Sequence, residues 1–442
     1  MTPAELKAKV PGFDWDAFMH GAGGVPSDTT LIVSAYAEGG DDGIPGIAKV
    51  IHEAHLCALR AWAAFHVVAG CSPFLSKDFV NSHFAFFGKL LSGQKEMRPR
   101  WKRAVSAANT FVGDTVGREF VEQFFPKSAQ EKMAELTMLL KQAFHERIEK
   151  LEWMTAETKV KALAKLQSFT FEIGGPKKYR EYEGLSFEVD DLFGNAARAT
   201  AWAWAWDFKQ LGKPVDLDYW DMVPQAINAF FDPTQNRCVF LAAILQAPFF
   251  SADADMSLNF GGIGAVIGHE MTHGFDDSGR RYDAQGRLND WWTDADAEEF
   301  MRRARKYGEQ FANFTMLLPH GVRINPGLTM GENIADLGGV TIAYDAYQKW
   351  LEEHDYSPKA PFLKPNDDGL EGDRRFFASW DQVWRTKYTD SAVQLQVQTN
   401  PHSPGQARAI IPVQNSDPWY TAYGISKGKD LYLDLEHRVQ IW

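Results

Sequence analysis

Cysteine is scarce in this sequence, which has only Cys57, Cys71 and Cys238 among 442 residues and none of them at metal-binding spacing. This small, odd-numbered set argues against a disulfide scaffold and favours reduced, buried thiols. Basic residues are also in deficit, because 46 Lys and Arg stand against 58 Asp and Glu and give a formal net charge of -12. A chain with this balance is a poor partner for nucleic acid or for an anionic membrane surface.

A long hydrophobic run is missing as well. The longest apolar stretch, Leu56 to Gly70, is interrupted by Arg60 and His66 and is too short to span a bilayer. We therefore expect a buried helix in this stretch and no membrane span in the chain. The N-terminal residues "MTPAELKAKVPGFDWDAF" lack the basic and apolar regions of a secretory signal. A native start at Met1 would favour the cytoplasm, whereas a processed fragment would favour the periplasm or secretion.

The length of the chain exceeds that of one ordinary core, so we expect two or three domains. A content of 45% hydrophobic and 24% charged residues is that of a soluble globular protein, and 15 Trp and 31 Phe predict an aromatic interior. We place the domain boundary between residues 1–185 and residues 186–442, because a helical pattern is closed off by Gly174-Gly175-Pro176 shortly before it.

The first of these regions is predicted to be helical. Apolar residues recur at helical spacing over residues 128–153, where Ser128 and Glu131 form a capping-box pattern. In the other region, "AWAWAW" at residues 201–206 fits a strand or a helix equally well. The apolar run "CVFLAAIL", which begins at Cys238, predicts a strand or a buried turn of helix.

The stretch "IGHEMTHGFDD", from Ile267 to Asp277, contains two histidines four residues apart. In a helix, His269 and His273 project from one face about one turn apart, so both imidazoles can bind one ion. Glu270 points about 100° around the helix, beside a water on that ion, where a general base belongs. The alternative is a solvated helix face, since so short a pattern also occurs by chance.

A third ligand is needed, because catalytic zinc usually has three protein ligands and an open position. The stretch "TMGENIADLGG" offers one, since Glu332 and Asp336 are four residues apart and share a helix face. One could bind the ion while the other accepts the second N–H of a ligating histidine. The alternative interpretation is that Thr329 and Glu332 form a capping box.

These motifs are embedded in a longer pattern that resembles the neprilysin family of zinc metallopeptidases. The resemblance runs from about Phe79 to Trp442 and is densest after Lys213; it rests on the stretches "GKPVDLDYW", "INAFF", "AAILQAPFF", "LNFGGIGAVIGHE", "GFDDSGRRYDAQGRLNDWW", "GENIAD", "NPHSPGQAR" and "HRVQIW". It implies a mainly α (α+β) fold: a gluzincin-type catalytic domain with a small β element in residues 186–442, and a partial helical lid domain in residues 1–185.

The resemblance also implies one Zn²⁺ per chain, with His269, His273 and Glu332 as ligands. It assigns catalysis to Glu270 as general base on the zinc-bound water, to His402 as donor to the oxyanion, and to Asp336. Asp336 and Asp276 would accept hydrogen bonds from the ligating histidines and fix their tautomers.

A peptide substrate is implied in the same way. Asn228 and the Ala229 backbone resemble the clamp for an extended peptide, and Arg408 would hold a substrate carbonyl. Five further residues resemble the walls of the pocket for the side chain after the scissile bond: Ile244, Phe249, Val266, Val383 and Trp384. Such a pocket predicts cleavage of short peptides on the amino side of hydrophobic residues.

Four glycines lie next to the metal motif, at Gly261, Gly262, Gly264 and Gly268. Each costs roughly 0.5–1 kcal/mol against alanine in a helix interior, so we expect another backbone to approach closely there.

Chains of this family are markedly longer, and this one resembles them from a point inside their domain arrangement. We therefore expect a second polypeptide that supplies the family's N-terminal portion, giving a heterodimer. Two alternatives stay open: a partner-binding subunit with little activity alone, and an exopeptidase with the same zinc chemistry.

Overall fold

The computed structural model describes residues 1–21, 23–26, 28–31, 43–316, 318–354 and 371–442. Within this part the chain is mostly helical and carries one three-stranded sheet, which confirms the mainly α fold with a small β element. In chain order the helices are α1 (Pro3–Lys9), α2 (Trp15–Gly21), α3 (Gly43–Glu53), α4 (Leu56–Cys71), α5 (Lys77–His83), α6 (Arg100–Phe124), α7 (Lys127–Lys150), α8 (Ala156–Ser168), α9 (Leu192–Phe208), α10 (Met256–Asn259), α11 (Ala265–His273), α12 (Asp294–Asn313), α13 (Pro326–Glu353), α14 (Gly372–Val383), α15 (Asp390–Thr399), α16 (Gly405–Gln414) and α17 (Asp417–Tyr423).

The described residues form two compact units, each built from separate stretches of the chain. The first unit contains residues 1–90, 95–112 and 181–217, and the second contains residues 91–94, 113–180 and 218–442. Helix α6 passes from one unit to the other at Val112, whose φ of -139° and ψ of 38° are not helical. The domain boundary between residues 185 and 186 stays a prediction, because these units follow packing rather than one cut in the chain.

In the first unit a small core joins α1, α2 and α3; its buried members are Leu6, Val10, Trp15, Met19 and Ala48. The undecided stretch at residues 201–206 lies in α9 and is therefore helical.

Helix α4 confirms the helix predicted at residues 56–70, but the prediction that this helix is buried was wrong. None of its residues is buried among those described, and Leu56, Trp62 and Phe65 are more than half exposed. Cys57 is exposed and Cys71 half-buried, so the expectation of buried thiols holds for Cys238 alone. Among the described helices, none is by itself long and apolar enough to cross a bilayer. Residues 43–53 and 56–74 meet those criteria only as a pair bent by 118°.

In the second unit the sheet has the order β1-β3-β2, formed by β1 (Thr170–Gly174), β2 (Ala229–Asp232) and β3 (Arg237–Leu241). Strand β3 pairs in parallel with β1 and antiparallel with β2. Every residue of β3 is buried, which explains its continuous apolar sequence and confirms a strand in the first half of the run from Cys238. Strand β2 is left at the edge of this sheet.

Helix α7 supports the sheet and the metal motif and nearly coincides with the helix predicted over residues 128–153. Its inward face is apolar, as the helical spacing predicts: Met133, Leu136, Leu140, Phe144 and Ile148 are buried. The capping box at Ser128 was wrong, because Pro126 takes the N-cap position and no side chain caps the helix. A proline there leaves no unsatisfied N–H of its own.

Candidate metal centre

The metal motif lies on α11, which packs against α13 through glycine. A Cβ added to Gly268 would lie 2.9 Å from the carbonyl oxygen of Gly339, and one added to Gly339 would lie 2.5 Å from that of Ala265. Any side chain at either position would push the two helices apart. This contact confirms the expected close approach of another backbone and brings the two motif-bearing helices together.

The other glycines near the motif differ in what they contact. A Cβ on Gly261 would lie 2.0 Å from the Phe376 oxygen, and one on Gly262 would lie 2.4 Å from the Phe249 oxygen. At Gly264 the nearest atom would be Asn259 O at 3.3 Å. The prediction of a closely approaching backbone therefore holds for Gly261 and Gly262. At Gly264 no main-chain atom lies close enough to require glycine.

His269 and His273 lie one turn apart on α11 and turn their Nε2 atoms toward each other, 2.9 Å apart. Glu332 of α13 reaches the same point, with Oε2 3.3 Å from His269 Nε2 and Oε1 3.7 Å from His273 Nε2. One ligand atom from each residue lies within 4.8 Å of the other two. Two imidazoles and one carboxylate are a donor set that suits Zn²⁺.

The Glu332 side chain is available as a metal ligand because it does not cap its helix. Helix α13 begins at Pro326, and the Asn325 side chain accepts from Gly327 N as the N-cap. The capping box of Thr329 and Glu332 was therefore the wrong interpretation, since both residues lie inside the helix.

The outer nitrogen of His269 is held by a buried carboxylate. Its Nδ1 lies 2.8 Å from Oδ1 of Asp336, which is fully buried on α13. Arg408 of α16 donates to both oxygens of Asp336, from Nε at 2.7 Å and from Nη2 at 2.8 Å. Burial raises the pKa of Asp336, but Arg408 and His269 lower it by more. The net pKa is below its usual value, so the carboxylate is ionised.

The outer nitrogen of His273 is held in the turn that follows α11. Its Nδ1 lies 2.7 Å from Oδ2 of Asp276. The other oxygen of Asp276 accepts from the backbone N–H groups of Ser278, at 2.8 Å, and Gly279, at 2.6 Å. Asp336 and Asp276 thus occupy the positions beside the histidines that the sequence predicts for them.

The carboxylates of this cluster favour positive charge at its centre, which a proton on His269 or a bound cation can supply. Burial lowers the pKa of His269, but the nearby carboxylates of Asp336 and Glu332 raise it to about 10. Burial raises the pKa of Glu332, but His269, His273 and Arg408 bring it well below its usual value. Glu332 Oε2 is buried and has no hydrogen-bond partner among the described residues. A cation between the imidazoles and this carboxylate would satisfy that oxygen.

Glu270, between the two histidines, faces the same space. It is buried, and burial raises the pKa of its carboxyl group. Its Oε2 also has no hydrogen-bond partner among the residues that the structure describes. A desolvated carboxylate with a free oxygen is suited to take a proton.

His402 lies on the far side of Glu332, with its Nε2 3.2 Å from Glu332 Oε2. Its backbone N–H donates to Asn400 Oδ1 at 2.8 Å, and its Nδ1 lies 2.9 Å from the same oxygen. Because an amide oxygen only accepts, Nδ1 is the donor of this bond. Nε2 is left to face the metal ligands.

A cavity of about 600 Å³ is lined by the two histidines of α11 together with Glu270, Glu332 and His402. Of the predicted substrate-binding residues, its wall includes Asn228, Ala229, Ile244, Phe249, Val266, Trp384 and Arg408. Val383 packs against the core and is not part of this wall, whereas Trp380, three residues earlier on α14, is; the pocket role of Val383 stays a prediction. The sequence interpretation also missed wall residues on β2 and in the turns after β2 and α11: Phe230, Phe231, Pro233, Ser278 and Tyr282. The helical period of α14 could have indicated Trp380. No sequence pattern indicated the turn residues Pro233, Ser278 and Tyr282.

Arg408 has a different principal contact from the one the sequence predicts. It lines the cavity, but two of its donors bind Asp336 and its guanidinium stacks 3.8 Å from the centre of the Trp384 ring. A role in holding a substrate carbonyl stays a prediction.

Two family models, both described as "Peptidase family M13", match residues 228–439 and residues 1–176. The chain is 32% identical over its whole length to human endothelin-converting enzyme 1, and 35% identical over 83% of its length to mouse neprilysin. It spans 57% and 49% of the length of these two relatives.

The chain also superposes on solved structures of two proteins. All of the chain superposes on a Mycobacterium tuberculosis zinc metalloprotease crystallised with an inhibitor, with a TM-score of 0.91, 38% identity and 65% of that chain covered. It also superposes along its whole length on PepO from Lactobacillus rhamnosis, with a TM-score of 0.86, 27% identity and 66% of that chain covered.

Proposed function

The chain belongs to peptidase family M13, the neprilysin family, and from this premise we propose that it is a zinc-dependent metallopeptidase that hydrolyses peptide bonds in short peptides. The observation that carries the proposal is the convergence of His269, His273 and Glu332 on one point beside Glu270. When bound there, Zn²⁺ would act as a Lewis acid on the peptide carbonyl and lower the pKa of water.

Glu270 is the general base of the proposed reaction. Its carboxylate takes the proton of the attacking water at Oε2 and then returns it to the leaving amine. The burial that raises the pKa of Glu270 brings its proton affinity closer to that needed near neutral pH.

His402 donates to the oxyanion from Nε2. Since Nδ1 already donates to Asn400, Nε2 carries a hydrogen only when the ring is protonated. The ring must therefore be protonated when it stabilises the developing negative charge, against the burial that lowers the pKa of His402. Asp336 and Asp276 keep the two ligating imidazoles in the tautomer that leaves Nε2 free for the metal.

The substrate lies along β2 in this proposal. Strand β2 is an edge strand, and Ala229 lines the cavity together with Asn228, so an extended peptide can pair with the main chain of this strand. Ile244, Phe249 and Trp380 form an apolar wall near Glu270. This wall supports cleavage on the amino side of hydrophobic residues, which peptides differing only at that residue would test.

A second polypeptide is proposed as the partner in a heterodimer. It is supported by apolar side chains on α3 and α4 that stay more than half exposed among the described residues, such as Ile47, Val50, Trp62 and Phe65. Native mass spectrometry of the protein from its source should show a second chain. A monomer of this chain that is fully active alone would contradict the partner.

The proposed function is tested by Glu270→Gln, which removes the base but keeps the shape of the side chain. We expect peptide hydrolysis to fall by about 10²–10⁴-fold while bound zinc stays at one per chain. The control is Glu298→Gln on the exposed face of α12, which should cleave like the wild type. Unchanged cleavage in Glu270→Gln would overturn the proposal.

Assays of peptide hydrolysis also separate the two alternative functions. A partner-binding subunit with silent chemistry would bind zinc and its partner and show no hydrolysis for Glu270→Gln to remove. An exopeptidase would fail on peptides blocked at both ends, which an endopeptidase cleaves.

A further inference from the structure

Lys165 of α8 is a fully buried lysine in the second unit. Its ammonium group donates to three main-chain carbonyls: Gly274 O at 2.5 Å, Gly279 O at 2.7 Å and Tyr282 O at 2.7 Å. An ammonium group has three N–H donors, so this arrangement uses all of them. Carbonyl oxygens that converge on one positive charge are also used by proteins to bind hard cations.

Keeping a positive charge at this position opposes folding, because a buried charge must be paired and hydrogen-bonded. Desolvation lowers the pKa of Lys165 to about 7, against the opposite effect of Asp276 and Asp283. A neutral side chain of similar length would avoid the desolvation but would leave three carbonyls without this donor. The ammonium group is therefore best explained by what it does for those carbonyls.

The three carbonyls belong to the turn over residues 274–282, which begins directly after His273. The residue at its centre, Gly279, donates its N–H to Asp276 Oδ1 and accepts from Lys165 at its carbonyl. The other oxygen of Asp276 contacts His273 Nδ1. A continuous series of hydrogen bonds thus connects Lys165 to His273.

Helix α8 is itself a fixed support. Asp296 of α12 accepts from the backbone N–H of Thr155 at 2.9 Å and from the hydroxyls of Thr155 and Thr158, both at 2.5 Å. At the other end of the helix, Phe169 covers the start of the turn so closely that a Cβ on Gly274 would lie 2.3 Å from its Cζ. The N-terminal end of α8 is therefore held by α12, and its C-terminal end packs against the start of the turn.

We propose that Lys165 is a positioning residue of the metal centre, an internal cation that holds the turn of residues 274–282 and thereby directs Asp276 at His273. The inference rests on the proposed function only for the identity of the metal. Lys165 acts on the affinity for zinc through Asp276, since its hydrogen bonds go to main-chain carbonyls rather than to a metal ligand.

A double-mutant cycle on the metal-free protein tests this, with the zinc dissociation constant measured by competition with a chelator. Lys165→Met and Asp276→Asn should each weaken zinc binding about 10–100-fold. Because both act by one route, the double variant should bind no more than about threefold more weakly than the weaker-binding single variant. Losses that multiply, or wild-type affinity in a folded Lys165→Met, would overturn the proposal.

The matched control is Lys161→Met, one turn earlier on the same helix, where the exposed lysine pairs with Glu157. It should keep the wild-type affinity for zinc. If Lys165→Met does not fold, Lys165→Arg keeps the charge but has a planar group that cannot direct three donors to the same carbonyls. Lys165→Arg should bind zinc several-fold more weakly, and wild-type affinity would overturn the proposal.

These measurements use zinc alone and no peptide. A wild type that binds zinc tightly but cleaves nothing, even together with its partner, would overturn the peptidase function and leave the role of Lys165 intact. A wild type that cleaves peptides while all Lys165 variants bind zinc normally would overturn only the role of Lys165.

Discussion

The two histidines of the metal centre are held in different ways. His269 belongs to what we call the side-chain arm, in which Asp336 contacts the imidazole and Arg408 binds that carboxylate with two donors. His273 belongs to the main-chain arm, in which Asp276 contacts the imidazole and is fixed by two backbone N–H groups of the following turn. The same chemical task is thus done once by an ion pair and once by a turn.

The difference lies in where each arm is placed. Asp336 is fully buried behind His269 and does not line the cavity, whereas Asp276, Ser278 and Gly279 form part of the cavity wall. A buried charge that loses its partner is strongly destabilising, but a turn that loses one bond adjusts. We therefore expect changes in the side-chain arm to affect folding stability, and changes in the main-chain arm to affect chiefly the affinity for zinc.

The largest effect should come from Arg408→Met. It leaves the fully buried Asp336 with His269 as its remaining cationic partner, so the free energy of unfolding should fall by about 3 kcal/mol. Denaturant unfolding of the metal-free protein measures this loss, with Arg385→Met at an exposed position as the control. A loss equal to that of the control would show that the side-chain arm does not carry stability.

A second prediction concerns the helix contact on which both arms depend. Gly339→Ala places a Cβ 2.5 Å from the Ala265 oxygen, a main-chain atom that cannot move aside, and should cost about 1–3 kcal/mol of stability. Gly264→Ala, whose Cβ would lie 3.3 Å from Asn259 O and 3.4 Å from Phe260 Cδ1, is the matched control. It should be neutral or stabilising, because alanine is the better helix former. Equal thermal unfolding midpoints for the two variants would contradict the contact.

The two arms are compared directly by Asp336→Asn and Asp276→Asn. Each should weaken zinc binding about 10–100-fold, because each disturbs the hydrogen bond that orients a ligating imidazole. Asp336→Asn should also lower the unfolding midpoint more, since Arg408 then stays buried against a neutral partner. The opposite order of the two midpoints would reverse the comparison.

The smallest effect is expected beside the main-chain arm, at Asp283, which follows the turn held by Lys165. Hydrogen bonds from Arg287 and the Gln285 backbone, acting against burial, lower the pKa of Asp283 to about 2. Its folded pKa is below its unfolded value, so it stabilises the protein above about pH 4, and this stabilisation is lost as the pH falls through about 2. Asp283→Asn should therefore unfold more easily than the wild type at pH 7, with a difference that shrinks by pH 3. A stability difference between Asp283→Asn and the wild type that does not change with pH would contradict the lowered pKa of Asp283.

The Asp336 contact of the side-chain arm could be predicted from sequence because a helix sets its geometry, whereas the bonds from Arg408 to Asp336 could not. Four-residue spacing places His269 with His273, and Glu332 with Asp336, on common faces, and the structure brings these faces together. The glycines that let α11 and α13 approach were also visible as a local excess, although Gly264 shows that composition cannot say which glycine meets a backbone.

The main-chain arm could be predicted only in part. Asp276 is three residues from His273 and was found through the resemblance, but its support comes from Lys165, which is 109 residues before Gly274. No periodicity connects positions so far apart, and a lysine on an amphipathic helix ordinarily predicts exposure. Capping failed at Ser128 for a related reason, because a pattern of polar residues does not fix which residue begins the helix.

X-ray absorption spectroscopy of the zinc-loaded protein shows whether His269, His273 and Glu332 bind one zinc ion. This set of ligands predicts one zinc per chain with a shell of nitrogen and oxygen at about 2.0–2.2 Å and the outer scattering of two imidazoles. A sulfur shell at about 2.3 Å, or the scattering of a single imidazole, would contradict it.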